Sequence, residues 1–143
     1  MGGTDEGVVN WTAFAETRDV IGPEFLRILG FYREDAVKSV LDVEQAFRAR
    51  DAIGVVRPAH KLKGDSLQFG AEGIGRLAEH IEHVARQCVE DRRPPDELAS
   101  DVPRLRPMLI ETLNLFEREM ASAQVTPLRR AAAPTGFGRK RTG

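Results

Sequence analysis

Apolar residues recur along most of this chain at steps of three, four and seven, and no segment sustains a step of two. The first pattern lines one face of a helix, whereas the second would line one face of a strand. Phe25, Leu26, Leu29, Ala36, Val37, Val40, Leu41 and Phe47 form one such face. Ile74, Leu77, Ala78, Ile81, Ala85 and Cys88 form another. Leu98, Val102, Leu105, Leu109, Leu113, Phe116 and Met120 form a further one. Short β-branched clusters such as Val55-Val56 are too brief to read as strands. The expectation is an all-α chain.

Start and stop signals divide the pattern. Asn10 suits an N-cap for a short helix through Glu16, with Trp11, Phe14 and Ala15 on its apolar face. Gly22-Pro23-Glu24 opens a long helix reaching Phe47. Gly30 within it costs about 1 kcal/mol against Ala and suggests a bend or close contact. A helix from Asp51 to Phe69 is closed by Gly70. It contains Pro58, whose ring opposes the carbonyl of Gly54, so either a kink at 54–58 or a start near Pro58 is expected. A helix from Gly73 to Asp91 ends at Arg92-Arg93-Pro94-Pro95. The last is expected from Asp96 to Ala121, bent in its first half by Pro103 and Pro107. Four amphipathic helices with short links make an antiparallel four-helix bundle, with a short extra N-terminal helix and flexible tails. The boundaries expected are an N-terminal lead at 1–17, the bundle at 18–122 and a basic flexible tail at 123–143.

Composition excludes several classes. The chain has 143 residues, 41% hydrophobic and 30% charged, a soluble balance. No apolar run approaches the ~20 residues a membrane helix needs. Met1-Gly2-Gly3-Thr4-Asp5-Glu6-Gly7 lacks a basic and apolar leader, so a secretory signal is not expected. The single cysteine, Cys88, cannot close an internal disulfide, and a cytoplasmic protein is expected. Residues 125–143 hold Arg129, Arg130, Arg139, Lys140 and Arg141 without an acid, which leaves the body at −6 against a total of −1. An acidic body with a short basic tail is not a nucleic-acid domain.

One stretch carries chemistry: Ala59-His60-Lys61-Leu62-Lys63-Gly64-Asp65-Ser66-Leu67-Gln68-Phe69-Gly70-Ala71. On a helix, Ala59, Leu62, Ser66 and Phe69 turn to the core. His60, Lys63, Gly64 and Leu67 share another stripe, because residues three and four apart are neighbours. Imidazole is substantially neutral at pH 7, and its ring nitrogen can accept a phosphoryl group. Lys63 supplies positive charge to phosphoryl oxygens. Gly64 leaves a hollow through which another protein can approach, or permits close helix packing. There are no paired carboxylates and no base–orienter chain for hydrolysis. Phosphoryl relay needs mainly positioning and charge stabilisation, which this sparse set offers.

The stretch AHKLKGDSLQFGA resembles the histidine-containing phosphotransfer (HPt) domain family. FLRILGFYREDAVKSVLDVEQAFRARD before it and GIGRLAEHIEHVARQ after it are similar to that family's adjoining helices, so the resemblance covers roughly residues 20–120. It implies a four-helix bundle whose exposed histidine relays phosphoryl groups to and from receiver-domain aspartates, or takes them from a hybrid histidine kinase. It makes His60 the phosphoacceptor, Lys63 the charge stabiliser and Gly64 the clearance. Glu82, placed 22 residues after His60, falls where the family sets a residue that hydrogen-bonds the ring. Leu67 and Lys61 join them as candidate docking residues. Asp65, where the family often has Ser or Ala, adds negative charge beside the site. Pro58 departs from the usual helical residue and bears on the orientation of the ring.

The remaining expectations are modest. No ATP-binding glycine motif is present, so no autonomous kinase activity is expected. No cofactor or metal is expected in this chain; the metal such transfer uses belongs in the partner's acidic pocket. His80 and His83, beside Glu79 and Glu82, read as surface residues rather than as zinc ligands. Cys88 reads as a small core residue, and Trp11 with Phe14 as a cap on the bundle end. The protein is expected to be a monomer with no membrane or nucleic-acid partner. The competing reading is a degenerate helical interaction module that binds a receiver or kinase without carrying phosphate.

Overall fold

The computed structural model describes residues 7–132, with side chains to 123. Among the described residues there are helices and no strands. The helices are α1 (Trp11–Ile21), α2 (Phe25–Arg48), α3 (Ala52–Gln68), α4 (Glu72–Glu90) and α5 (Val102–Ala132), with single 3₁₀ turns at Gly22–Glu24 and Asp96–Leu98. The chain divides after Thr112 into two compact units. The first holds α1 to α4 and the opening turns of α5. The second continues α5 from Leu113.

Short links force neighbouring helices to run antiparallel. Ala49 to Asp51 joins α2 to α3, and Phe69 to Ala71 joins α3 to α4. α3 packs against both α2 and α4. Arg106 on α5 reaches Glu44 on α2, with Nε 3.1 Å from Oε2. His80 on α4 lies 3.2 Å from Asp101, just ahead of α5. The four helices therefore close around one core of Val40, Val43, Val55, Leu62, Ile74, Ile81 and Leu105, all nearly inaccessible to water.

The helix that matters most is bounded by specific chemistry. Asp51 caps α3 by accepting the Gly54 amide at 2.9 Å. A methyl at Gly54 would lie 2.5 Å from Oδ2 of that same carboxylate, so a larger residue there would have to shift the capping side chain. At the other end Gly70 has φ +78, the left-handed conformation that stops a helix, and an added methyl would lie 2.4 Å from the Asn10 carbonyl. α3 runs unbroken through Pro58, starting at Ala52 rather than near the proline. Proline has no N–H, so the Gly54 carbonyl receives no helical hydrogen bond from position 58.

An aromatic plug closes the end of the bundle where α1 crosses. Phe14 is buried and meets Trp11 and Phe25 edge-on, each at 5.2 Å between centroids. Phe69 continues the row to Tyr32, also at 5.2 Å. The buried Tyr32 hydroxyl shares a 2.8 Å hydrogen bond with Ser66.

Five expectations from the sequence need correction. α1 extends to Ile21, because no helix-stopping residue precedes Gly22, where φ reaches 75°. Residues 7–9 are not loose: Gly73 donates to the Val8 carbonyl at 3.1 Å, Asn10 donates its amide to Gly70 at 2.7 Å, and Val9 is buried. α5 begins at Val102 and not at Asp96, which lies in a separate 3₁₀ turn. Pro103 thereby falls in the first helical turn, where its missing N–H costs nothing. Gly30 makes no close contact, since a methyl there would meet nothing within 4 Å. At the far end α5 stays helical to Ala132, into the span read as tail, and residues 133–143 lie outside the described residues.

Candidate functional site

His60 stands on the outer face of α3. Its core-facing neighbours Ala59, Leu62 and Ser66 are buried, whereas its own side chain is 60% exposed. The ring is anchored by one nitrogen. Nδ1 lies 2.9 Å from Oε2 of Glu82, on the adjacent helix α4. Among the described residues no side chain engages Nε2, which is left to solvent.

Glu82 is the centre of the arrangement. Its side chain is only 8% exposed, and it collects three donors. His60 and Arg86 share Oε2, with the Arg86 Nε at 3.0 Å and Nη2 at 2.8 Å. Lys63 takes Oε1 at 3.0 Å. Burial alone would push this carboxyl up, but the hydrogen bonds from Arg86, Lys63 and His60 outweigh it and hold the group at about 2. Glu82 is therefore ionised at neutral pH and can only accept. The Nδ1 position of a neutral His60 must then carry the proton, which leaves the Nε2 lone pair facing outward.

The other sequence candidates fall into place around this pair. Lys63 is 25% exposed and anchored to Glu82, so it is held one helical turn from the ring rather than free in water. Gly64 is exposed, and a methyl there would meet nothing within 4 Å. Close helix packing is thus not the reason for this glycine. Leu67 is half-buried against α4: a methyl on Gly75 would lie 2.5 Å from its Cδ2. It offers only part of its surface to a visitor. Lys61 is exposed and pairs with Asp65 at 2.9 Å and Asp35 at 3.6 Å. The charge of Asp65, expected to act against an anionic group, is matched by this lysine. Pro58 lines an open cleft of about 410 Å³ beside His60, together with Asp35, Lys38, Val56, Arg57 and Arg86.

The two remaining histidines do not converge. His80 pairs with Asp101, while His83 lines a separate cleft with Arg57 and Gln87. Among the described residues no three His, Cys, Asp or Glu side chains gather to hold a metal ion. Cys88 is a free, buried thiol that burial pushes up. Arg86 escaped the sequence reading. The signal that could have found it is its position four residues after Glu82, which puts both side chains on one helix face.

The chain is thus a helical bundle that presents one carboxylate-anchored histidine to solvent, with a cation and a glycine one turn on. The family model described as Hpt domain matches residues 27–115, and the chain belongs to this family. Its members serve histidine phosphotransfer in two-component phosphorelays and interact with receiver domains and kinases. Searches of curated proteins and of solved structures gave no significant match. Among the described residues no helix is long and apolar enough to cross a membrane.

Proposed function

We propose that this protein is a phosphorelay intermediate that accepts a phosphoryl group on Nε2 of His60 and passes it to an aspartate of a receiver domain. The observation that carries the reading is the ring itself: 60% exposed, tied by Nδ1 to an ionised, buried Glu82, with its other nitrogen open.

The chemistry follows from that geometry. A receiver's aspartyl phosphate brings its phosphorus in line with the Nε2 lone pair. The N–P bond forms as the P–O bond of the mixed anhydride breaks, and that electron pair returns to the partner's carboxylate. The ring then carries positive charge, with the Nδ1 proton still directed at Glu82. Lys63 lies beside the same carboxylate and offers charge to the phosphoryl oxygens. Gly64 leaves room for the partner's acidic pocket to close over the ring. The same steps in reverse return the group to an aspartate. Asp65 and Lys61 offset each other, which removes the main electrostatic objection to a working site. A cytoplasmic location fits the one free, buried cysteine.

The test is incubation with radiolabelled, phosphorylated receiver domains. Acid-labile, alkali-stable label on this chain, lost in His60→Gln with the helical content unchanged, is the expected result. Label retained in His60→Gln would overturn the assignment. Stable receiver binding with no label on the wild type would mark a helical interaction module instead.

A further inference from the structure

We infer that Arg86 is a second phosphoryl-binding cation of the His60 site, and the one that faces the cleft. The inference rests on His60 being the phosphoacceptor. Arg86 and His60 donate to the same oxygen, Oε2 of Glu82, at 2.8 Å and 2.9 Å. Sharing that atom fixes the guanidinium beside the ring. Both side chains also line the 410 Å³ cleft, whereas Lys63 sits on the other oxygen and is not part of its wall. Arg86 is 58% exposed against 25% for Lys63.

The donor geometry of arginine lets it do two things at once. A guanidinium has five N–H donors in a rigid fork. The contact with Glu82 uses Nε and one donor of Nη2. Three donors remain, enough to reach phosphoryl oxygens without releasing the carboxylate. Charge points the same way. Glu82 has already matched one of its two cations before any phosphate arrives, and a phosphoryl group brings nearly two negative charges. The α2 wall of the cleft contributes Asp35 and Asp42 beside Lys38, and Lys61 is paired with Asp35 and Asp65. Arg86 is thus the cation that is both linked to the His60 ring and open to the cleft.

Phosphoramidate is a suitable probe, because it is small and bypasses docking. Nε2 of His60 attacks phosphorus, the P–N bond to the donor's nitrogen breaks, and ammonia leaves. Arg86→Ala is expected to lower the second-order labelling rate on the order of fivefold, the size of one partly exposed charge-assisted contact. Arg86→Lys should keep most of the rate, since it keeps the charge. The deciding comparison is made in a Glu82→Gln background. Removing Arg86 there should still slow labelling by a similar factor, because the guanidinium acts on the phosphoryl group. An Arg86→Ala rate equal to wild type would overturn the inference. So would equal rates for Glu82→Gln and the double variant, which would reduce Arg86 to a support for Glu82. Failure of the wild type to label, or labelling of His60→Gln, would instead strike the assignment of His60.

Discussion

Lys63 and Glu82 form a half-buried ion pair, Nζ to Oε1 at 3.0 Å, one helical turn from the ring of His60. The lysine proposed to serve the phosphoryl group is therefore already partnered in the resting protein. Its structural role and its proposed role in transfer separate experimentally.

Lys63→Ala should do two things. It leaves a buried carboxylate oxygen without its donor, at a cost of about 1–3 kcal/mol, read as a lower denaturant midpoint. It should also slow phosphoryl transfer from a receiver while leaving receiver binding intact. A transfer rate equal to wild type would remove its charge role, whatever the stability change.

Gly64 offers opposite signs for folding and function. It is an exposed glycine inside α3 with open space where a side chain would go. Gly64→Ala should raise stability by about 0.5–1 kcal/mol, from helix propensity alone. Gly64→Gln should remain folded and still label with phosphoramidate, yet lose most of its transfer from a receiver. Normal transfer in Gly64→Gln would mean that no partner surface comes close at this point.

The Glu82 carboxyl is depressed from 4.5 to about 2 in the folded protein. A group shifted in this direction stabilises the fold above its unfolded value and loses that contribution as pH falls through its folded value. The window is therefore from about 4.5 down to 2. The full shift corresponds to about 3 kcal/mol as an upper bound, lowered by solvent around the exposed His60 and Arg86. Wild type should lose stability relative to Glu82→Gln across this window in acid denaturation. Parallel curves for the two proteins would mean that the carboxylate is not so held.

Tyr32 is the single tyrosine of the chain, so its ionisation can be followed alone. Burial pushes its hydroxyl up to about 12, and the nearby Asp65 adds to this against the hydrogen bond from Ser66. Ultraviolet titration should show no phenolate near pH 10 while the protein is folded. A step there would mean that the ring is open to water. Tyr32→Phe should cost about 1 kcal/mol, because it strips the partner from the buried Ser66 hydroxyl.

The end of α3 was legible from the Gly70 stop, whereas the Asp51 cap competes with the proline signal and leaves its start between Asp51 and Pro58. The start of α5 was not legible: Leu98 keeps the apolar period, so the pattern ran past Pro103 to Asp96. The fastening of Val8 and Asn10 to the α3–α4 corner was invisible, since it is made mostly by backbone groups that every residue possesses, and the Asn10 side-chain bond to Glu72 spans 62 positions. His60, Lys63 and Gly64 could be placed on one stripe from spacing. The pairing of His60 with Glu82 crosses two helices, and only the family resemblance pointed to it. Arg86 was passed over, because nothing in an i,i+4 spacing says that the carboxylate it meets is buried.

The family match begins at residue 27, yet the corner that ends α3, the helix carrying His60, is fastened from outside that span. Asn10 holds Gly70 and Glu72, and Thr17 donates to the Gln68 carbonyl at 2.6 Å. Phe25 covers Phe69, and Phe14 packs edge-on against Phe25. A protein trimmed to the matched residues would keep His60, Lys63, Gly64 and Glu82 yet lose this cover, leaving Phe69 with Tyr32 as its aromatic neighbour and loosening the last turn of the histidine's own helix.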